Sequence, residues 1–242
     1  MANSIKTYGV FEQNQNKKFI QSLIGDGCKI ISFPQIEYYQ SNLSENETKY
    51  LRNPENTDWL IFTDINSVEY FIRFYENNSL DLYELDNLRV IAFGEAVSDS
   101  LRFVQIHSDI IVDNFDDQMI FDQIKEYLLG VEGLFELNIL FIKGNQKNYY
   151  LTELLKEAKA NIRELSIYQS KLPEDSTKLK TLAINGAIDE FIFLRAEEVF
   201  DLSLYFYPQK INDELDEIQM IGTDEITLKT LREFGLSPVI IK

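Results

Sequence analysis

Thr63 and Asp64 close the apolar run Trp59–Phe62, and an amphipathic stretch begins immediately at Ile65. The same design recurs three times. VIAFGEAVSDSL passes from an apolar run through Gly94 to Ser98, FIFLRAEEVFDL turns at Arg195, and QMIGTDEITLKTL turns at Gly222 and reaches Thr227. A buried strand that runs into a helix presents such residues at its carboxyl end, where open α/β sheets hold ligands. The chemistry on offer is that of holding a ligand with hydroxyls and backbone groups. Metal and nucleophile chemistry have little to draw on, because the chain has one histidine, His107, and one cysteine, Cys28. They make no metal-binding spacing, and a His-dependent triad would rest on His107 alone. That residue, in VQIHSDIIV, reads as a surface histidine in a loop before a strand. Asp64, at a helix start, reads first as an N-cap that satisfies otherwise unpaired N–H groups.

The elements that must position these residues alternate along nearly the whole chain. KTYGVF (6–11) reads as a strand, NQNKKFIQSLIGDG as a helix with Phe19, Ile20, Leu23 and Ile24 on one face, and CKIISFP (28–34) as the next strand. The polar stretch 41–57 reads as a connection with at most a short helix. Strand 59–63 then leads to helix 65–77, LRVIAF (88–93) to EAVSDSLRFV, and DIIV (109–112) to FDDQMIFDQIKEYLL. LNILFIK (137–143) leads to YYLTELLKEAK, and IRELSIYQS (162–170) follows. TKLKTLAI reads as a helix, EFIFLR (190–195) leads to AEEVFDLSLYF, EIQMIG (217–222) leads to DEITLKTLREFG, and PVIIK ends the chain as a strand. Continuous apolar strands are buried on both faces, so the class is α/β, with parallel sheets wound on both sides by helices.

Two sheets of four to five strands fit this pattern better than one of nine or ten. Breaks at 34–57 and 170–176 bracket an acidic middle. Residues 37–170 carry 11 basic and 24 acidic side chains, against 4 and 2 in 1–36 and 8 and 14 in 171–242. The expectation is two doubly wound domains, one inserted into the other. The outer comprises 1–36 plus 172–242, the inner 41–166, with linker strands at 34–40 and 166–173. Facing each other, they would place four strand-end loops around one cleft. A monomer with hinge motion is expected.

The chain has 242 residues, 45% hydrophobic and 13% aromatic, enough for one large core or two small ones. A net charge of −17 opposes binding to nucleic acid or an anionic membrane. No apolar run approaches the roughly 20 residues of a membrane span. The N-terminus, MANSIKTYGVFEQ, lacks signal-peptide features, and the single cysteine suits a reducing, cytoplasmic setting.

In this order along the chain, the motifs resemble the uroporphyrinogen-III synthases. Phe62, Thr63, Asp64, Asn66 and Val68 resemble the family's Phe-Thr-Ser followed by Asn and Val. Gly94 to Ser98, and Gly222, Thr223 and Thr227, resemble its Gly-x-x-Thr turns. Lys143-Gly144 stands where an Arg-Gly ends an apolar strand, and Tyr168 where a tyrosine closes the strand returning to the outer domain. The departures fall near the expected cleft. Asp64 replaces a serine, Leu194-Arg195 replaces a second Thr-Ser, Lys143 replaces an arginine, and the first strand ends Val10-Phe11-Glu12 without the usual arginine.

The resemblance implies closure of hydroxymethylbilane, a linear tetrapyrrole, to uroporphyrinogen III, with loss of water and inversion of ring D. It implies no cofactor and no metal. The pyrrole nitrogen drives hydroxide departure, so the protein's main task is to hold a flexible chain in the productive geometry. The substrate's eight carboxylates suit helix N-termini, where N–H groups converge and the dipole favours anions. Thr63, Asp64, Asn66, Gly94, Ser98, Lys143, Gly144, Arg195, Ala196, Gly222, Thr223 and Thr227 are the implied substrate contacts. Tyr168 is the implied aid to water departure. A transient contact with hydroxymethylbilane synthase is left open. Two other readings stand beside this one: a family member that has lost catalysis and serves as a tetrapyrrole-binding or regulatory module, and an unrelated two-domain α/β binding protein.

Overall fold

A computed structural model describes residues 5–13, 16–52 and 56–240. Parts of three expected segments therefore lie outside the described residues: Asn14 and Gln15 before the first helix, 53–55 in the polar connection, and Ile241 and Lys242 of the last strand. The chain divides into two compact units, one of residues 1–37 with 171–242 and one of residues 38–170.

The first unit is built on β1 (Thr7–Glu12), β2 (Lys29–Pro34), β9 (Glu190–Phe193), β10 (Gln219–Gly222) and β11 (Pro238–Ile240). They form one sheet in the order β11-β10-β9-β1-β2, and every pairing is parallel. Alternation along the strands gives each face its own core. Val10, Ile192 and Ile221 meet Phe19, Ile20 and Leu23 of α1 (Lys17–Gly25). Phe11, Phe33, Phe191 and Phe193 point the other way, where Tyr205 of α8 (Ala196–Phe206) joins them in a web of tilted and edge-on rings. Each such ring contributes about 1.5–3 kcal/mol by leaving water. Gly9 makes room for this packing, because a Cβ there would lie 2.5 Å from the Phe191 ring. Nearly every residue of α8 is buried, and the helix packs against both α7 (Ser176–Ile184) and α10 (Glu225–Glu233). A short helix, α9 (Ile211–Glu214), falls in a segment where the pattern predicts none.

The second unit has six strands among the described residues: β3 (Glu37–Gln40), β4 (Trp59–Phe62), β5 (Arg89–Phe93), β6 (Ile110–Val112), β7 (Asn138–Gly144) and β8 (Asn161–Lys171). Their order is β3-β8-β7-β4-β5-β6. The pairs from β8 to β6 are parallel. The sheet exceeds the expected four to five strands because the segments around 37–40 and 166–171 pair as neighbouring strands. Trp59, Ile61, Ile91, Phe93, Ile139 and Phe141 face a core closed by Ile120 and Ile124 of α5 (Asp117–Tyr127) and by Leu151 and Leu155 of α6 (Leu151–Glu157). Alternate residues face the opposite way, as Phe62 does edge-on to Phe71 of α3 (Ile65–Asn77), which packs beside α4 (Glu95–Phe103). A short α2 (Glu45–Arg52) fills part of the polar connection. Among the described residues, no helix is long and apolar enough to cross a membrane.

Candidate functional site

β7, β4 and β5 lie side by side and parallel, so their carboxyl ends bring Lys143-Gly144, Thr63-Asp64 and Gly94 to one end of the second unit's sheet. At the middle strand the chain must turn from extended to helical. Asp64 makes that turn with extended backbone and caps α3, its Oδ1 accepting from Ser67 N at 2.7 Å. Ser67 answers by accepting from Asp64 N at 3.3 Å while its hydroxyl donates to Asp64 O at 2.5 Å. This reciprocal capping box uses serine at the position where Glu or Gln is usual. Asn66 is half-buried in the first turn.

Oδ2 of Asp64 faces a different partner. Tyr168, on β8 and 104 residues away, donates its hydroxyl to Oδ2 at 2.8 Å. Thr63 Oγ1 lies 2.9 Å from the same oxygen and 3.3 Å from the carbonyl of Ile142. The local backbone aims Tyr168 there. Lys143 pairs with Ser166 but Gly144 pairs with Tyr168, so β8 carries one extra residue at this point, a bulge that redirects the side chain. Tyr168 then crosses directly over Gly144, where an added Cβ would sit 2.4–2.6 Å from Cζ, Cε2 and the hydroxyl oxygen. Tyr70 of α3 stacks on the ring and Tyr38 of β3 meets it edge-on, both at 5.6 Å.

Both members of the pair are deeply buried, Asp64 being 6% and Tyr168 4% exposed. Burial raises the Asp64 carboxyl above the usual carboxylate range, with the Ser67 N–H, the Tyr168 and Thr63 hydroxyls and the Lys147 charge pulling the other way. Burial also pushes the Tyr168 phenol well up, reinforced by the negative field of Asp64.

Lys143 is buried at the end of β7. Its Nζ donates to the Lys147 carbonyl at 2.9 Å and lies 3.1 Å from Glu164 on β8. Its charge is therefore matched within the unit, and it steadies the loop after Gly144. Gly94 opens α4 at φ 88°, a left-handed backbone that only glycine adopts readily, and Ser98 is buried one turn on.

In the first unit, β9 and β10 end side by side. Arg195 is the extended residue before α8, and Ala196 is the buried first residue of that helix. Glu198, fully buried, accepts from Leu194 N at 2.8 Å and from the Asn16 side chain at 2.8 Å, linking the segments that follow β9 and β1. Burial raises its carboxyl, against the pull of those donors and of Arg195. After Gly222, the exposed Thr223 donates its N–H to Phe193 O at 3.2 Å. Asp224 then caps α10, accepting from Thr227 N at 2.9 Å and from Thr227 Oγ1 at 2.7 Å. The Thr227 hydroxyl is thus turned onto its own cap, as a helix-start residue.

Asp224, Ser67, Glu198 and Asn16 are not among the expected residues. A signal exists for the first two. Thr63-Asp64-x-x-Ser67 and Thr223-Asp224-x-x-Thr227 are the same five-residue phrase, once in each unit. Glu198 carries no local signal, because its partner Asn16 is 182 residues distant. His107 is exposed in a loop before β6, and Cys28 is a free, half-buried thiol. Among the described residues, no three His, Cys, Asp or Glu side chains group as metal ligands.

These features define a class of protein: a doubly wound α/β chain in two units, whose polar groups gather at the carboxyl ends of parallel strands. Comparison with known proteins narrows it. The family model for uroporphyrinogen-III synthase HemD matches residues 17–242, and the chain belongs to that family. Among solved structures it is similar to Thermus thermophilus uroporphyrinogen III synthase at TM-score 0.66 and 16% identity, over 97% of this chain and 92% of that one. A wild-type crystal structure of uroporphyrinogen III synthase from Thermus thermophilus, in a second crystal form, is similar at TM-score 0.66 and 17% identity, over 97% and 91%.

Proposed function

We propose that this chain is a uroporphyrinogen-III synthase that closes hydroxymethylbilane with loss of water and inversion of ring D. The observation that carries the reading is the set of helix starts at the carboxyl ends of β4, β5, β9 and β10, with Tyr168 beside the first of them. The starts of α4 and α8 carry no side-chain cap, and their N–H groups suit carboxylates of a substrate that bears eight, even where side chains depart from the family pattern. Positioning supplies most of the required selectivity, and no cofactor takes part. The linear tetrapyrrole is the partner, and the protein acts as a monomer.

The test starts from porphobilinogen and hydroxymethylbilane synthase, with this protein added, and separates the isomers formed. Isomer III is expected to predominate. Isomer I alone, the product of unassisted closure, would refute catalysis. One observation favours a second reading, that of a tetrapyrrole-binding or regulatory module without catalysis: the Tyr168 hydroxyl is directed at Asp64, and Lys143 is neutralised by Glu164. Retained tetrapyrrole affinity without isomer selection would establish that reading instead.

A further inference from the structure

Asp64 has a second role beyond capping α3, and the hydrogen-bond pattern around Oδ2 indicates what it is. As an ionised carboxylate it accepts three hydrogen bonds: Ser67 N on Oδ1, and the Tyr168 and Thr63 hydroxyls on Oδ2. In that state the single phenolic hydrogen of Tyr168 points inward, and the phenol has nothing to donate elsewhere. The site also contains the partners for the alternative arrangement. Thr63 Oγ1 has a second acceptor, the carbonyl of Ile142, at 3.3 Å. When Oδ2 carries a proton, Thr63 can turn to that carbonyl and Oδ2 can donate to the Tyr168 oxygen. Ser67 N remains on Oδ1, so the helix cap survives in both states.

We propose that Asp64 is a positioning residue that sets the direction of the Tyr168 hydroxyl, holding its hydrogen inward when ionised and turning it outward when protonated. This rests on the synthase reading of the same site. In the outward state the step balances. The carbon–oxygen bond of the hydroxymethyl group breaks with its electron pair going to oxygen, and the pyrrole nitrogen lone pair fills the carbon. The departing oxygen takes the Tyr168 proton and leaves as water, and Tyr168 takes the proton of Asp64. The freed methylene carbon bonds to the substituted α-carbon of ring D. The bond from that carbon to its bridge breaks and re-forms at the ring's free α-carbon, and the proton of that last carbon leaves as the ring regains aromaticity and restores Asp64.

The titratable and charged groups around the pair are few. Lys147 favours the ionised carboxylate, while Tyr38 and Tyr149 flank the phenol and Arg73 lies over the stacked Tyr70 ring. Burial favours the protonated carboxyl, against the pull of Lys147 and of the donors on its oxygens.

Two measurements on the full chain test this. The first follows the Cζ resonance of Tyr168 in protein labelled with carbon-13 tyrosine, identified by its loss in Tyr168→Phe, from about pH 4 to about pH 9. It is expected to shift in one step in the wild type and to lose that step in Asp64→Asn, whose amide keeps the cap and donates to the phenol at every pH. The second follows the rate of isomer III formation over the same range. The wild-type kcat is expected to fall about tenfold per pH unit above the Asp64 transition, with KM little changed, while Asp64→Asn stays flat. A Tyr168 resonance that does not move over this range in the wild type overturns the proposal, and so does a sloping Asp64→Asn profile identical to the wild type. Absence of isomer III at every pH, with the resonance step intact, overturns the synthase reading and leaves the hydrogen-bond switch standing.

Discussion

Burial of one residue, Asp64, opposed by its hydrogen bond from Tyr168, makes stability depend on pH in a direction that can be worked out. The folded-state Asp64 carboxyl is raised above its unfolded value. Its favourable contribution is therefore fully present below the unfolded carboxyl's range and is lost as pH rises through the folded one. Tyr168→Phe sharpens this. It removes one of two donors to Oδ2 and leaves Thr63 as the remaining one. A buried carboxylate that loses a partner costs about 1–3 kcal/mol. We expect Tyr168→Phe to lower the stability of residues 38–170 towards urea by that amount at neutral pH, with the difference shrinking as Asp64 becomes protonated in acid. Equal destabilisation at both pH values would mean that only the ring packing against Tyr70 and Tyr38 had been disturbed.

Among the strand-to-helix elements, the two Thr-Asp-x-x-[Ser/Thr] phrases do the same local work in different surroundings. Asp224 holds Thr227 with both oxygens, whereas Asp64 divides its oxygens between the cap and Tyr168. Asp224→Ala should therefore behave as the loss of a simple cap. We expect about 1 kcal/mol of lost stability, read as faster amide exchange at the start of α10. The strand-to-helix alternation that builds these elements is plain in the residues, because continuous apolar runs of strand length, such as Leu60–Phe62 and Ile139–Ile142, alternate with amphipathic stretches of helix length. The cap at Asp64 is equally legible, being a local rule. β3 is harder to see. Glu-Tyr-Tyr-Gln has no apolar run, and it is a strand because β8 lies beside it. The Tyr168 contact could not be read at all. It depends on a one-residue bulge that leaves no mark in composition or spacing, and although Gly144 is visible as a glycine, nothing local says that Tyr168 crosses over it.

In the molecule as a whole, the two units differ in how the chain enters them. Residues 38–170 are consecutive, so that unit can close its sheet without waiting for any other part. Residues 1–37 and 171–242 must find each other, since β1 pairs with β9 in the middle of their sheet. If the intervening segment were an unfolded loop of about 130 residues, closing it would cost about 4 kcal/mol in chain entropy. The folded second unit removes most of that cost, because β3 and β8 are neighbours in its sheet and Ser41 N donates to Ile167 O at 3.0 Å. The two ends of the first unit then leave from adjacent strands. Stability should pass in one direction. Phe141 lies at the centre of the second unit's core and Phe191 in the aromatic web of the first, and both are fully buried. Either change to alanine costs its own unit about 3–5 kcal/mol. We expect Phe141→Ala to accelerate amide exchange in β7 and also in β1 and β9, while Phe191→Ala accelerates exchange in β1 and β9 and leaves β7 protected. Hydrogen exchange in graded urea separates the outcomes. Protection of β1 and β9 unaffected by Phe141→Ala would show that the two segments of the first unit assemble without the second as their clamp.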